Sequence, residues 1–410
     1  MNILMVSPNV VVGGAQKVML YLAKGLEERR HNVFIYTTHV DLSNLPPFAR
    51  KLKYIINDMK ILQWGGELSN YTPIDNVAML AFRLVRLRRG LVRAIKKYRI
   101  DMINPHNPPA NWLCSFLRYP VVWTSHNNPI SVYKNVRAGY DPLWPNKRKI
   151  YHQVLELAYE GVDYIVTRKG IDEVVSVSDK VSRGIRQVYH RGSEVIMFGL
   201  APGDGIMTGC EPQNNKFDLL EENGLTLIQV GQLTEDKQPY TSLDILEIIR
   251  GRIPKVKLCF VGDGPLRPQL EQEVKSRGLE GVVSFLGFKN ERELANIYAS
   301  AHILLFPGRD QPFGLAPIEA IWKFVVPIVS DTSGVKDLFE RHGITTVAKA
   351  TADSFAEHVF SVYERRSEVR QWLAEVRKSL AEELNYERFL DKYEKLFERC
   401  LTLSGKRIRR

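Results

Sequence analysis

Six short apolar runs, separated by helix-length gaps, constrain the second half of this sequence more than any other feature. They are Leu225–Val230, Val256–Val261, Val282–Leu286, Ile303–Phe306, Val325–Val329 and Ile344–Val347. Runs this short and this apolar suit strands that are covered on both faces. Strands alternating with helices in this way build a parallel sheet with helices packed on it, a doubly wound α/β domain.

Within that repeat, Ile303–Ser330 reads as one βαβ unit. A Pro-Gly-Arg-Asp-Gln-Pro loop follows the first strand. Phe313-Gly314 then leads into a helical segment whose single acid is Glu319. Parallel-sheet proteins bind ligands where such loops leave the C-terminal strand ends. A glycine at the helix start lets backbone N–H groups approach an anion. A surface loop with an exposed glutamate is the equal alternative on this stretch alone.

The first half carries the alternation less cleanly. Met1–Val6 and Val33–Thr38 read as strands, joined by a loop and a helix to about Arg30 with Ala15, Val18, Met19, Leu22 and Leu26 on one face. Gly13-Gly14 at the start of that helix is a phosphate-site pattern, although turns also use glycine for steric reasons. Neither G-x-G-x-x-G nor the Gly-Lys-Ser/Thr ending of a P-loop is present. Lys51–Ile56, Asp101–Asn104, Val121–Thr124 and Glu194–Phe198 are further strands. Asp101–Asn104 runs into His106 and Val121–Thr124 into His126, both at the ligand edge of a parallel sheet. Matching positions favour a site over two structural histidines. Asn128–Asn146 has the length of a substrate-facing flap. A helix is expected around Lys149–Tyr159. Lys60–Asp75 shows no clear period. Gly199–Lys216, rich in Gly, Pro and Asn, marks a domain boundary. Ala352–Leu403 reads as largely helical, with GKRIRR as a frayed end.

At 410 residues the chain fits two domains, and with 44% hydrophobic residues it can bury two cores. Cys114, Cys210, Cys259 and Cys400 are scattered, which argues for a reducing compartment and against a disulfide framework or zinc cluster. The N-terminus enters a strand with no basic n-region, so no signal peptide is expected. No run approaches the roughly 20 apolar residues that span a bilayer. Asp263 in VGDGP has no partner acid at useful spacing and reads as a turn residue.

The net charge is +11. Val77–Ile100 contains Arg83, Arg86, Arg88, Arg89, Arg93, Lys96, Lys97 and Arg99, and no acid. Val77, Leu80, Ala81, Leu84, Leu87, Leu91 and Ile95 recur at helical spacing. That is an amphipathic helix with a cationic face. Solvated surface and an anionic membrane rank ahead of nucleic acid, for which no motif or basic–aromatic interleaving is present.

GGAQKVMLYLAKGLEERRHNVFIYTT, IDMINPHNPPA, VVWTSHNNP, EVVSVSDKVSRGI, VGQLTEDK, FVGDGPLRPQLE, VSFLGF, ELANIYASAHILLFP and PFGLAPIEA follow one another along the chain. In this order and spacing they resemble the retaining glycosyltransferases of the GT-B fold, family 4. The resemblance covers nearly the whole chain and is strongest from Val230 to Thr332.

The resemblance implies an α/β protein of two facing Rossmann-like, doubly wound domains with the active site between them and a helical C-terminal tail. Residues 1–205 would be the acceptor-side domain, 217–385 the nucleotide-sugar domain, and 386–410 a helix returning toward the N-terminal domain. It implies that Glu319 accepts from the ribose diol, Lys237 neutralises the diphosphate, and the Gly14 amide lies near the same phosphates. Phe313, Gly314 and Leu315 would approach the donor through their backbone, and Phe288 would line the base pocket. His126 would stand at the reacting sugar and His106 would face the acceptor. The implied partners are a nucleotide sugar and a glycan or lipid-linked acceptor. The implied setting is cytoplasmic or peripheral on the inner membrane face, and no metal or other cofactor is implied.

Two positions depart from the family pattern. Gln311 stands where the family has the first Glu of E-x7-E, and Gln232 where it has a phosphate-binding Arg. Asp310 neighbours Gln311 but points elsewhere in an extended loop. If the leaving phosphate takes the acceptor's proton, position 311 mainly holds sugar hydroxyls, and an amide can do so. The lost charge-assisted hydrogen bond would cost about 1–2 kcal/mol. A GT-B nucleotide-sugar epimerase and a non-catalytic nucleotide-sugar-binding protein are the alternative readings.

Overall fold

Aliphatic and β-branched runs form the strands of this computed structural model, and the amphipathic stretches between them form the helices. The structure describes residues 1–43, 45–57, 77–131, 160–201, 216–220 and 224–408, without the side chains of 77–84, 218–219 and 404–408. Lys60–Asp75, most of the Asn128–Asn146 loop, the helix expected at Lys149–Tyr159, most of the Gly199–Lys216 linker, Cys210 and the side chain of Arg83 lie outside the described residues. The chain divides into two units: Met1–Phe198 with Glu387–Arg410, and Gly199–Tyr386.

In the first unit, β1 (Asn2–Val6), β2 (Asn32–Thr37), β3 (Lys53–Ile56) and β4 (Met102–Pro105) form a parallel sheet in the order β3-β2-β1-β4. A second parallel set, β5 (Val122–Ser125), β6 (Glu173–Ser176) and β7 (Glu194–Val195), continues it. The bridges Ile103–Val121 and His106–Thr124 join β4 to β5. β7 is shorter than the expected Glu194–Phe198. Past Val195 the chain turns into the core, where Phe198 packs on Tyr21 and Phe389. The helices of this unit include α1 (Gly14–Glu28), α2 (Val77–Lys97), α3 (Ala110–Cys114) and α4 (Asp179–Tyr189).

α2 buries Leu87, Leu91, Ala94 and Ile95, and leaves Arg86, Arg89, Arg93, Lys96 and Lys97 exposed. Its period thus separates an apolar from a cationic face.

The second unit holds one six-stranded parallel sheet. Its strands are β8 (Leu225–Val230), β9 (Val256–Val261), β10 (Val283–Phe285), β11 (Ile303–Phe306), β12 (Val326–Ser330) and β13 (Val347–Ala348), in the order β10-β9-β8-β11-β12-β13. β13 starts later than the expected Ile344. The Ile344 amide bonds back to the Phe339 carbonyl, so pairing with β12 begins at Val347. The helices are α5 (Pro239–Arg250), α6 (Arg267–Ser276), α7 (Glu291–Ser300), α8 (Leu315–Trp322), α9 (Lys336–Arg341), α10 (Ala352–Glu364) and α11 (Val369–Glu383). Ile228, Tyr298, Leu304, Ala320 and Val325 form a core between sheet and helices.

The last helix, α12 (Tyr386–Ile408), belongs almost entirely to the first unit. Phe389, Leu390, Tyr393, Leu396, Phe397 and Cys400 are its buried face. Arg29, beyond the end of α1, anchors it through Asp391 (2.7 Å), Glu387 (2.5 Å) and Glu394. The GKRI segment continues this helix rather than fraying.

Candidate active site

In the second unit, β8 and β11 are neighbours in the sheet but not in sequence. The chain reverses its direction of travel across the sheet between them. Loops leaving such a pair part to opposite sides, and the crevice they leave is where open α/β sheets bind ligands. The loop after β8 carries Gln232 and Lys237. The loop after β11 carries Gln311, Phe313 and Gly314.

These loops are bonded to each other. The Lys237 ammonium donates to Gln311 Oε1. Gln311 Nε2 lies 3.1 Å from each of the Asp236 carbonyl, Asp236 Oδ2 and the Arg309 carbonyl. The Arg309 amide donates to the Asp236 carbonyl at 2.9 Å. Lys237 also pairs with Asp236 Oδ2 at 3.3 Å. Burial would raise the Asp236 carboxyl. The adjacent Lys237 charge, with hydrogen bonds from Thr234, Gln311 and Lys237, outweighs that and holds it below its usual value. Gln311 is 4% exposed. Its carbonyl accepts from Lys237 and its amino group meets Asp236 and the Arg309 carbonyl, a clasp between the two loops.

The turn after β9 fits against the β8 loop because position 262 is glycine. A Cβ there would lie 2.0 Å from the Gly231 carbonyl oxygen, and its φ is +137°. Gln232 is exposed. Phe288, past β10, is 41% exposed, an aromatic face free for stacking. The Phe313 carbonyl accepts from Ser333 Oγ at 3.1 Å, and the Gln311 carbonyl from the Gly334 amide at 2.8 Å. Those bonds fix the loop that delivers Gly314 to the start of α8. No side chain caps α8, and its first turn has no acid, so the amides from Leu315 onward keep their positive end open to an anion. Glu319, one turn further, is buried, with Oε2 3.2 Å from the Tyr298 hydroxyl.

In the first unit, β1 and β4 are the corresponding neighbours. Gly14 is exposed at the start of α1, whose first turn is likewise uncapped by side chains and without acids. His106 follows β4 and His126 follows β5. Their rings stack with centroids 5.1 Å apart, and His106 Nδ1 lies 2.9 Å from His126 Nε2. His106 Nε2 lies 2.8 Å from Asn104 Oδ1. Asn104 donates from Nδ2 to the Val122 carbonyl (2.5 Å) and Thr124 Oγ1 (3.0 Å). Thr124 Oγ1 lies 3.1 Å from the Tyr393 hydroxyl of α12. Burial lowers both imidazoles well below the usual 6.5, and the neighbouring His126 lowers His106 further.

His106 was expected to face the acceptor. It is 1% exposed and both ring nitrogens are engaged inside the unit, so its contact is His126. His126 is 7% exposed. Asp236, Tyr298, Asn104 and Tyr393 went unnoticed in the sequence. A signal existed for two of them. Asp236 is the acid just before Lys237, and Asn104 is a polar residue two positions before His106, on the same face of an apolar strand.

Two Rossmann-like units with these strand orders define a GT-B protein. Residues 211–379 match the family model for glycosyl transferases group 1, and residues 12–196 match that for glycosyltransferase family 4. An uncharacterized glycosyltransferase of Methanocaldococcus jannaschii is 25% identical over 85% of each chain. The N-acetyl-alpha-D-glucosaminyl L-malate synthase of Bacillus anthracis is 22% identical over 94% of each. Among solved structures, sucrose-phosphate synthase of Thermosynechococcus elongatus aligns with a TM-score of 0.74 at 17% identity, covering 98% of this chain and 99% of that one. HepE of Anabaena, in complex with UDP, aligns with a TM-score of 0.69 at 15% identity, covering 97% and 100%. At these identities the structural likeness shows the fold. The chain belongs to the family 4 glycosyltransferases of the GT-B fold and is an enzyme that transfers sugars.

Proposed function

We propose that this enzyme moves a sugar from a nucleoside-diphosphate sugar to a hydroxyl of a glycan or lipid-linked acceptor, with retention at the anomeric carbon and without a metal. One observation carries the reading. Lys237 is held by Gln311 and Asp236 where the loops of β8 and β11 diverge, which places a fixed cation at the crevice.

Each remaining part follows from its chemistry. A ribose diol donates two hydrogen bonds that one carboxylate can accept, and Tyr298 orients Glu319 for that. The base stacks on Phe288. The diphosphate lies against Lys237 and the open amides at the start of α8 beside Phe313, Gly314 and Leu315. Gln232 adds polar contact without charge. These cationic and N–H groups match the work a metal would do on a departing diphosphate. As the bond from the anomeric carbon to the phosphate oxygen breaks, the acceptor oxygen bonds that carbon on the same face. The acceptor's proton passes to the leaving phosphate. His126 is assigned to a sugar hydroxyl. Among the described residues no helix is long and apolar enough to cross a membrane. The cationic face of α2, Arg83–Arg99, suits an anionic membrane surface, which fits a lipid-linked acceptor at the cytoplasmic face.

A mass-spectrometric screen of nucleotide sugars, with and without glycan and glycolipid acceptors, tests this. Transfer, or slow donor hydrolysis, is expected. A protein that binds a nucleoside diphosphate yet turns over no donor would be a binding protein instead. Free epimer formed without acceptor would make it an epimerase.

A further inference from the structure

We propose that Asn104 and His106 are positioning residues that hold His126 in its Nε2–H tautomer, so that His126 offers a substrate hydroxyl the lone pair of Nδ1. The inference deepens the reading of His126 as a sugar contact and rests on it.

The direction of each hydrogen bond follows from the one before. The Val122 carbonyl can only accept, so Asn104 must turn its NH₂ toward it. Oδ1 of Asn104 therefore faces His106 and accepts from it, which puts a proton on His106 Nε2. A neutral imidazole carries one N–H. His106 Nδ1 is then an acceptor, and the proton between the two rings belongs to His126 Nε2. That leaves His126 Nδ1 unprotonated. Among the described residues, nothing donates to it. Burial of both rings disfavours the imidazolium that would break this chain of deductions.

The start of the chain is itself fixed. Thr124 Oγ1 takes the second proton of the Asn104 NH₂ and is tied to Tyr393. The amide thus has two acceptors on its NH₂ side and one donor on its carbonyl side, and a flip would reverse all three. The order of residues sets what His126 can recognise. A ring nitrogen that only accepts turns away phosphate oxygens, which also only accept at neutral pH. It selects an O–H donor, the group a sugar presents in number.

Ring-nitrogen NMR of the full chain with labelled histidine tests this without any substrate. His126 is assigned by its loss in His126→Ala. The wild-type protein is expected to show His126 protonated on Nε2 and bare on Nδ1. Asn104→Ala frees His106 to carry its proton on Nδ1 and donate to His126, so the His126 proton is expected to move to Nδ1. His106→Gln keeps one donor and one acceptor at similar spacing and is expected to retain the wild-type tautomer. A wild-type His126 protonated on Nδ1 overturns the proposal, as does an unchanged tautomer in Asn104→Ala. If Asn104→Ala does not fold, the wild-type and His106→Gln spectra still decide. Hydrolysis of UDP-glucose, UDP-N-acetylglucosamine and GDP-mannose supplies the substrate side. In Asn104→Ala the donor KM is expected to rise roughly two- to tenfold, with UDP and GDP affinity unchanged. If His126→Ala leaves donor KM and kcat unchanged, the sugar contact is wrong, and the NMR result stands apart from it.

Discussion

Gln311 Nε2 lies 3.1 Å from Asp236 Oδ2, so the amide that replaces the family's glutamate is a donor to a neighbouring carboxylate. The same nitrogen faces two backbone carbonyls. The site at 311 is therefore built of acceptors on one side and the Lys237 ammonium on the other. Only an amide matches both.

Gln311→Glu restores the family residue and is expected to weaken the protein. A carboxylate oxygen would meet three acceptors, one of them charged. The expected loss is about 1–2 kcal/mol of stability, moderated because Asp236 is partly solvated. Urea unfolding measures it. Donor turnover should fall with it. A Gln311→Glu variant that is as stable as wild type and more active would contradict this account.

Lys237→Ala removes the cation from the crevice and leaves Asp236 without its counter-charge. Charge-assisted contacts to a phosphate are worth about 1.5–3 kcal/mol, so the affinity for UDP, GDP or ADP is expected to drop roughly ten- to hundredfold. Calorimetric titration reads this directly. Unchanged affinity for all three would remove Lys237 from the donor site.

Tyr298→Phe deletes the hydroxyl that meets Glu319. Both residues are buried, so a stability loss of about 1–2 kcal/mol is expected. Donor KM should rise, because the carboxylate loses one of the bonds that hold its rotamer. Thermal unfolding and donor kinetics, run together, check both halves.

Acid should weaken the first unit before its carboxylates protonate. His106 and His126 have lowered pKa values in the fold, while in the unfolded chain each titrates near 6.5. Below that value the unfolded chain binds protons that the folded one does not. Their contribution is thus complete above about pH 6.5 and falls as pH drops, by up to about 1.4 kcal/mol per pH unit for each ring. Urea midpoints at about pH 7.5 and about pH 5.5 compare the two conditions. Identical midpoints would argue against a neutral buried pair.

Charge reversal at Arg86, Arg89 and Arg93, all exposed on α2, should lower binding to vesicles containing anionic lipid. Each basic residue near such a surface contributes about 1 kcal/mol. Co-sedimentation that does not change would remove the membrane from the proposal.

The alternation of strands and helices was legible because burial on both faces leaves a simple apolar mark on the sequence. So was the amphipathic period of α2. The bonds that organise the site were not. Asp236 and Gln311 are 75 positions apart, and Thr124 and Tyr393 are 269 apart. A period says which face of a helix is covered, not which residue of another element covers it. Glu319 was visible as the lone acid of its helix, but nothing in the sequence singled out Tyr298, inside ELANIYASAHILLFP, as its partner. His106 shows the same limit. Its place at a strand end suggested a ligand contact, and only its neighbours reveal that both nitrogens are already taken.

The return of α12 to the first unit has a consequence for how the protein is made. The second unit is continuous in sequence and has emerged from the ribosome before any residue beyond Tyr386. The first unit must wait. Until Phe389 and Tyr393 are synthesised, Phe198 and Thr124 lack the surface that covers them. A chain truncated after Asn385 and released from the ribosome should therefore carry a finished second unit and a first unit with an open apolar flank, the kind of surface on which chaperones bind.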